Sequence, residues 1–254
     1  MSLDPAALAR RLHDARASAR AVEIDTTVVG SIDAAYAIQS ELIDLAGGDL
    51  KGWKVTALTH KDQQKFGADR AVAGAVLGEF VYPSGSQLSL SSFVAPLIEC
   101  EIAFLLGADL PPRSSPYSRS EVEAVIAAVV PVFEFPDSRV GSSASDLVKL
   151  ADVMNNGALI VGERMETWRS LDLTRINIRL ELDGRQIAEG ISARILGDPV
   201  LALLALANAY PLPAPLRAGQ IVTTGTCTDP IAVRPGRYVA SFSGLGDVET
   251  SFTA

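Results

Sequence analysis

The apolar pattern divides this chain into a helical opening followed by many short β-prone segments. Asp4 before Pro5 reads as a helix N-cap with proline in the first turn, and Leu8, Leu12 and Ala15 then form a sparse apolar stripe among arginines, as on an outer helix. Ser31-Ile32-Asp33 opens a second helix that runs through Leu42 and Ile43 to the stop Gly47-Gly48. Strand-like Lys51 to Thr56 precedes a polar helical stretch, Lys61 to Phe66, that ends at Gly67. One or two strands follow over Gly74 to Leu77 and Val81-Tyr82, with Pro83-Ser84-Gly85 as a turn.

The most continuous β pattern is Pro96 to Leu106, closed by Gly107. A capping box, Ser118-x-x-Glu121, predicts a helix over Val122 to Val130 that Pro131 stops, and Val132 to Phe135 is again strand-like. Next come a small polar loop over 141–146, one or two helical turns from Leu147 to Met154, a break at Asn155-Asn156-Gly157 and a strand, Ala158 to Val161. Leu173 to Ser192 alternates as a hairpin turned by Asp183-Gly184. A helix capped by Asp198-Pro199 reaches Ala209, Ile221 to Thr223 is a strand leading into a loop over Thr224 to Pro230, and Tyr238 to Phe242 pairs with Val248 to Phe252. The expected class is α+β: a mixed β-roll or barrel-like sheet with a helical N-terminal portion, about 1–50, packed on it. No linker divides residues 1–254, so a single catalytic domain is expected.

Alternation puts Glu99 and Glu101 on one face of their strand, with Cys100 on the other. Two carboxylates side by side in an apolar strand are costly unless a cation lies between them, and a hard divalent metal is the usual solution. Taken alone, Glu-x-Glu also fits a wet strand face. A third isolated acid, Glu134, stands in the next strand, Val132-Phe133-Glu134-Phe135, where it can lie beside the other two. Lys54 points away from the apolar face made by Trp53 and Val55, and by pattern alone it is an ordinary solvated lysine.

Composition narrows the function. A net charge of -8 without any Lys/Arg block disfavours a nucleic-acid partner. The uncharged run Pro199 to Leu216 is broken by Asn208, Pro211, Pro213 and Pro215, so no membrane span is expected. A charged N-terminus without an apolar core, together with two cysteines read as reduced thiols, leads to an expected cytoplasmic location. The chain carries no internal repeat and no dinucleotide fingerprint.

Several segments, in order and spacing, resemble the 2-keto-4-pentenoate hydratase / 2-oxo acid decarboxylase family of the fumarylacetoacetate hydrolase superfamily. They are Asp33 to Gln39, Gly52-Trp53-Lys54-Val55, Leu58-Thr59-His60, Ile98 to Ala103, Phe133-Glu134, Ser138-Arg139, Ala151-Asp152 and Thr224-Gly225. The resemblance implies Mg²⁺ or Mn²⁺ held by Glu99, Glu101 and Glu134, a catalytic Lys54, and substrate contacts from Asp69, Asn155 and Thr224. It further implies a small-molecule 2-oxo acid substrate and a homo-oligomer. The implied reaction adds water to a 2-hydroxy-2,4-dienoate in aromatic-compound catabolism, giving a 4-hydroxy-2-oxo acid. A 4-oxalocrotonate-type decarboxylase, an acylpyruvate C-C hydrolase and a non-catalytic partner subunit are the alternatives.

The chain departs from the family pattern in three places. Val72 stands where Gly-x-Asp-x-Pro-Asp-x-Gly has its second acid, Ala151 to Asn155 replaces Ala-Asp-Asn-Ala-Ser, and Thr224 to Asp229 replaces Thr-Gly-Ala-Leu-Gly-Pro. His60, at a helix entrance, is read as peripheral, His13 as a surface residue, and Cys227 as no nucleophile, since no histidine lies near it in sequence.

Overall fold

The computed structural model describes residues 4–25, 27–141 and 143–254; Ser142 of the predicted 141–146 loop lies outside them. Helix α1 (Pro5–Ala17) is capped by the Asp4 carboxylate and α2 (Ile32–Leu45) by the Ser31 hydroxyl, as their sequences require. Strand β1 (Leu50–Thr56), helix α3 (His60–Lys65), β2 (Val72–Leu77), β3 (Val81–Pro83) and β4 (Gln87–Ser89) lead to the long β5 (Leu97–Leu106). Helix α4 (Arg119–Ala124), β6 (Ile126–Pro136), α5 (Asp146–Ala151) and β7 (Asn156–Val161) follow. The hairpin β8 (Asn177–Leu182) and β9 (Arg185–Ile191) precedes α6 (Val200–Ala207), and β10 (Ile221–Thr226), β11 (Ile231–Ala232), β12 (Gly236–Phe242) and β13 (Gly246–Thr253) complete the chain.

Two sheets result. The larger runs β2-β1-β10-β5-β6-β7-β3, with β11 added beside β5, and the smaller runs β4-β13-β12-β8-β9. Strands β2 and β3 stand at opposite ends of the larger path, yet only the turn Gly78–Phe80 joins them. The sheet must therefore curl until its ends approach each other, as the expected barrel-like roll requires. Inside the curl, Val76, Ala103, Leu105, Ala128, Val130, Val132 and Leu159 form a small apolar cluster built from that sheet alone. Its outer face joins the main core with the helices and the second sheet. Buried Gln39 on α2 ties the N-terminal helices to the roll, donating to the Ala73 and Leu150 carbonyls and accepting from Ala75 N–H.

One expectation fails. The helix predicted over Val122 to Val130 ends at Ala124, and Ile126 onward is strand. The segment Ala128 to Phe135 is continuously buried on both faces of the sheet, so tertiary burial overrides the helical start signal. Pro131 does not break β6. Its carbonyl accepts from Gly162 N–H, so the nitrogen without a hydrogen faces the side on which β7 has already ended. Among the described residues no helix is long and apolar enough to cross a membrane.

Candidate metal and active site

Strands β5 and β6 pair antiparallel with Glu99 opposite Glu134, and Glu101 lies two residues along the same face of β5. Oxygen atoms of Glu99, Glu101 and Glu134 lie within 4.8 Å of one another. Glu101 and Glu134 are fully buried, whereas Glu99 is partly open. The sequence expectation of three converging acids is met in the geometry.

Lys54 reaches the same point from β1. Its Nζ donates to Glu134 Oε2 at 2.6 Å, and the side chain is 11% exposed, so it is not the solvated lysine that its pattern alone suggests. The other Glu134 oxygen accepts from Asn156 Nδ2 at 2.8 Å, and Glu101 Oε2 accepts from Gly225 N–H at 2.8 Å. Glu101 Oε1, Asn156 Oδ1 and Thr223 Oγ1 are buried and unpartnered.

Charge crowding perturbs these groups. Burial, reinforced by Glu99 and Glu134, pushes the Glu101 carboxyl up to about 8. Burial also raises Glu134, against the pull of Lys54. For Lys54, burial acts downward, but the surrounding carboxylates outweigh it, Glu134 most strongly, and the ammonium is held above its usual value.

The other expected contacts are rearranged. Asp69 is 90% exposed and pairs only with its neighbour Arg70, because it sits on the surface turn before β2. The Thr224 hydroxyl donates to the Ile102 carbonyl, a structural bond, and it is Thr223 that lies between Lys54 and Ala103 in the sheet register. The hydrogen bond to Glu134 comes from Asn156, while the neighbouring Asn155 Oδ1 is buried without a partner. A register shift between Phe135 and Pro136, opposite Gly157, turns Asn156 inward. Just before it, Val153, Met154 and Asn155 all have positive φ, of 46°, 54° and 57°, a left-handed turn unusual for residues with side chains. Gly74 makes room for that turn, since a Cβ there would lie 2.1 Å from the Val153 carbonyl oxygen.

Val72, the departure from the acidic pattern, is buried in the main core. His60 is exposed at the start of α3. Cys100 and Cys227 are free and buried, and burial pushes both thiols up to about 12, which makes them inert at neutral pH. Asn156 and Thr223 went unread in the sequence because their inward direction depends on strand pairing and a bulge.

Residues 60–253 match the model of the fumarylacetoacetate (FAA) hydrolase C-terminal family. The chain belongs to that family. Among relatives in the family, it is 32% identical to a 2-keto-4-pentenoate hydratase of Burkholderia vietnamiensis, over 98% of this chain and 97% of that one. It is 29% identical to a 4-oxalocrotonate decarboxylase of Pseudomonas putida, over 86% and 84% of the two chains. A 4-oxalocrotonate decarboxylase structure from Pseudomonas putida, complexed with magnesium and adipate, superposes with a TM-score of 0.87 at 24% identity, covering 98% of this chain and 97% of that chain. The superposition establishes the shared FAA hydrolase fold.

Proposed function

We propose that this member of the FAA hydrolase family is a divalent-metal-dependent hydro-lyase. It would add water to a 2-hydroxy-2,4-dienoate and yield a 4-hydroxy-2-oxo acid. The observation that carries the reading is the convergence of Glu99, Glu101 and Glu134 with Lys54 bonded to their edge. The hydratase relative at 32% identity over nearly the full chain supports the same choice.

The donor set fits Mg²⁺ or Mn²⁺. It offers carboxylate oxygens only, three carboxyl groups face one ammonium, and Glu101 Oε1 is buried without a partner. Magnesium in the superposed decarboxylase supports the assignment. Bound there, such a cation supplies Lewis-acid polarisation of the paired carboxylate and 2-oxo oxygens of the substrate.

The remaining work falls to the chain itself. Gly225 N–H and Asn156 Nδ2 fix the rotamers of Glu101 and Glu134, so both acids are preorganised. Without metal the surrounding carboxylates hold Lys54 as a cation, and its ammonium, bonded to Glu134, is placed to stabilise negative charge growing on the substrate's 2-oxo oxygen. The Asn156 Oδ1 and Thr223 Oγ1 atoms supply acceptors for a water or a substrate hydroxyl. Apolar Ala103, Val130 and Val132 on the same sheet face exclude bulk water beyond the acids.

A decarboxylase of 4-oxalocrotonate type is the second reading, favoured by the relative at 29% identity. Both reactions pass through charge on the same 2-oxo oxygen. Incubating the protein and Mg²⁺ with 2-hydroxypenta-2,4-dienoate, 4-oxalocrotonate or an acylpyruvate, and weighing the products, separates the classes. Gain of one water supports the hydratase, loss of CO₂ the decarboxylase, and cleavage to pyruvate and an acid a hydrolase. No product from any of the three overturns the catalytic reading for these substrates.

A further inference from the structure

The left-handed turn over Val153, Met154 and Asn155 is costly for residues with side chains, and strain of this kind gathers at functional sites. The turn is also where the chain leaves the family pattern, with Met154 in place of a small alanine. Strand β2 fixes its position. Across the antiparallel β1–β2 ladder Gly74 pairs with Lys54 and Val72 with Thr56, so positions 72 and 74 face the same side as the lysine. A Cβ on Gly74 would point to that side, and it would meet the Met154 Cβ at 2.9 Å. Met154 therefore lies over Gly74 on the face from which Lys54 reaches the acids, and two residues on Asn156 bonds to Glu134. Its side chain packs on the main core yet stays partly open.

This stretch of the rim carries no charge. Val72 stands where the family pattern has an acid, Thr56 is neutral and Gly74 has no side chain. The cations on the flanking segments are engaged, Lys54 with Glu134, Arg70 with Asp69 and Arg194 with Asp229. With a divalent ion bound, that ion and one ammonium balance the three carboxylates, and the head of a 2-oxo acid adds a further negative charge. A second carboxylate at the far end would then lie beside a thioether with no counter-charge, which is unfavourable. A methyl or vinyl end has no such cost, and the unbranched methionine adapts its shape to it.

Resting on the reading of the acids as the seat of a metal-chelated 2-oxo acid head, we propose that Met154 is a specificity-determining residue that receives the far end of the substrate. It restricts the site to 2-oxo acids and 2-hydroxydienoates whose far end is uncharged.

The test measures binding to the full-length protein with Mg²⁺, using three ligands that need no turnover. Oxalate presents the head alone, while 2-oxopentanoate and 2-oxoglutarate share head and chain length and end in a methyl or a carboxylate. In calorimetric titrations wild type should bind 2-oxopentanoate at least about tenfold more tightly than 2-oxoglutarate. Met154→Arg should cut that ratio at least about tenfold or reverse it, because the tail carboxylate gains a counter-charge. Met154→Gly suits the positive φ and removes the contact, so 2-oxopentanoate should weaken at least about threefold while oxalate binds as before. The glycine variant decides the matter if the arginine variant fails to fold. Equal affinity of wild type for the two oxo acids, or the same ratio in wild type and the glycine variant, overturns the proposal, and oxalate binding then leaves the chelating site intact. Failure of oxalate to bind wild type in the presence of Mg²⁺ overturns the chelating site and the tail assignment together.

Discussion

Lys54 Nζ lies 2.6 Å from Glu134 Oε2, although β10 and β5 separate their strands in the sheet. Neighbouring strands are about 4.8 Å apart, so on a flat sheet the two Cα atoms would be roughly 14 Å from each other. Only the curl brings the ammonium to the acids. The ion pair therefore reports the closure of the roll as well as the chemistry of the site.

Replacing Lys54 with methionine removes the cation that touches the cluster. Binding of Mg²⁺ to the substrate-free protein should be retained or tightened, because a competing positive charge is gone, whereas kcat should fall by about 10² to 10⁴. Calorimetric titration with Mg²⁺ beside steady-state kinetics makes the comparison. Loss of metal binding with the loss of turnover would reduce Lys54 to a support for Glu134.

Glu101 carries a buried oxygen with no partner. In the metal-free protein Glu101→Gln should raise the melting temperature at pH 8, since it removes an uncompensated buried charge. The same change should abolish the rise in melting temperature that Mg²⁺ gives the wild type. A variant less stable than wild type without metal would contradict the assigned strain.

The pH dependence has a definite sign. The Glu101 and Glu134 carboxyls are raised by burial, to about 8 and about 7, from an ordinary value near 4.5. Between those values the folded chain holds protons that the unfolded chain has released, so stability falls as pH rises. Metal-free melts should therefore decline from pH 5 to pH 8. A fixed excess of Mg²⁺ should restore more stability at pH 8 than at pH 6, because protons and cations compete for the same oxygens. A metal-free melting curve that climbs over this interval would refute the crowding of the acids.

Gly74→Ala would drive a Cβ to within 2.1 Å of the Val153 carbonyl oxygen. Backbone has to move, and a loss of about 1 to 3 kcal/mol in urea unfolding is expected. Turnover should drop as well, since Val153 begins the turn that delivers Asn156 to Glu134. Gly30→Ala, with open space around the new methyl, is the control and should change little.

The acids were legible because they need only a two-residue repeat and an apolar setting, both written locally in Ile98 to Ala103 and Val132 to Phe135. Helix caps and the Asp183-Gly184 turn were legible for the same reason. The strand from Ile126 was not, because its helix-like start is overruled by neighbours distant in sequence. Inward-facing Thr223 and Asn156 were displaced by one residue from the expected Thr224 and Asn155, since facing depends on partner strands and on a bulge that alternation within the segment does not encode. Asp69 differs again: the resemblance supplied its role, and the structure places it on a solvent-facing turn paired with Arg70.

The acids are unequal in depth, Glu99 partly open and Glu101 and Glu134 sealed. Of the three, Glu99 is the acid that meets solvent, so an ion would reach the cluster past it. For an ion held at the cluster, affinity and exchange rate would then belong to different residues: the two sealed acids would set how tightly it is kept, and Glu99 how fast it is traded with the surroundings. The site works as a vessel with a single lip, and alterations at that lip should change the tempo of loading more than its final extent.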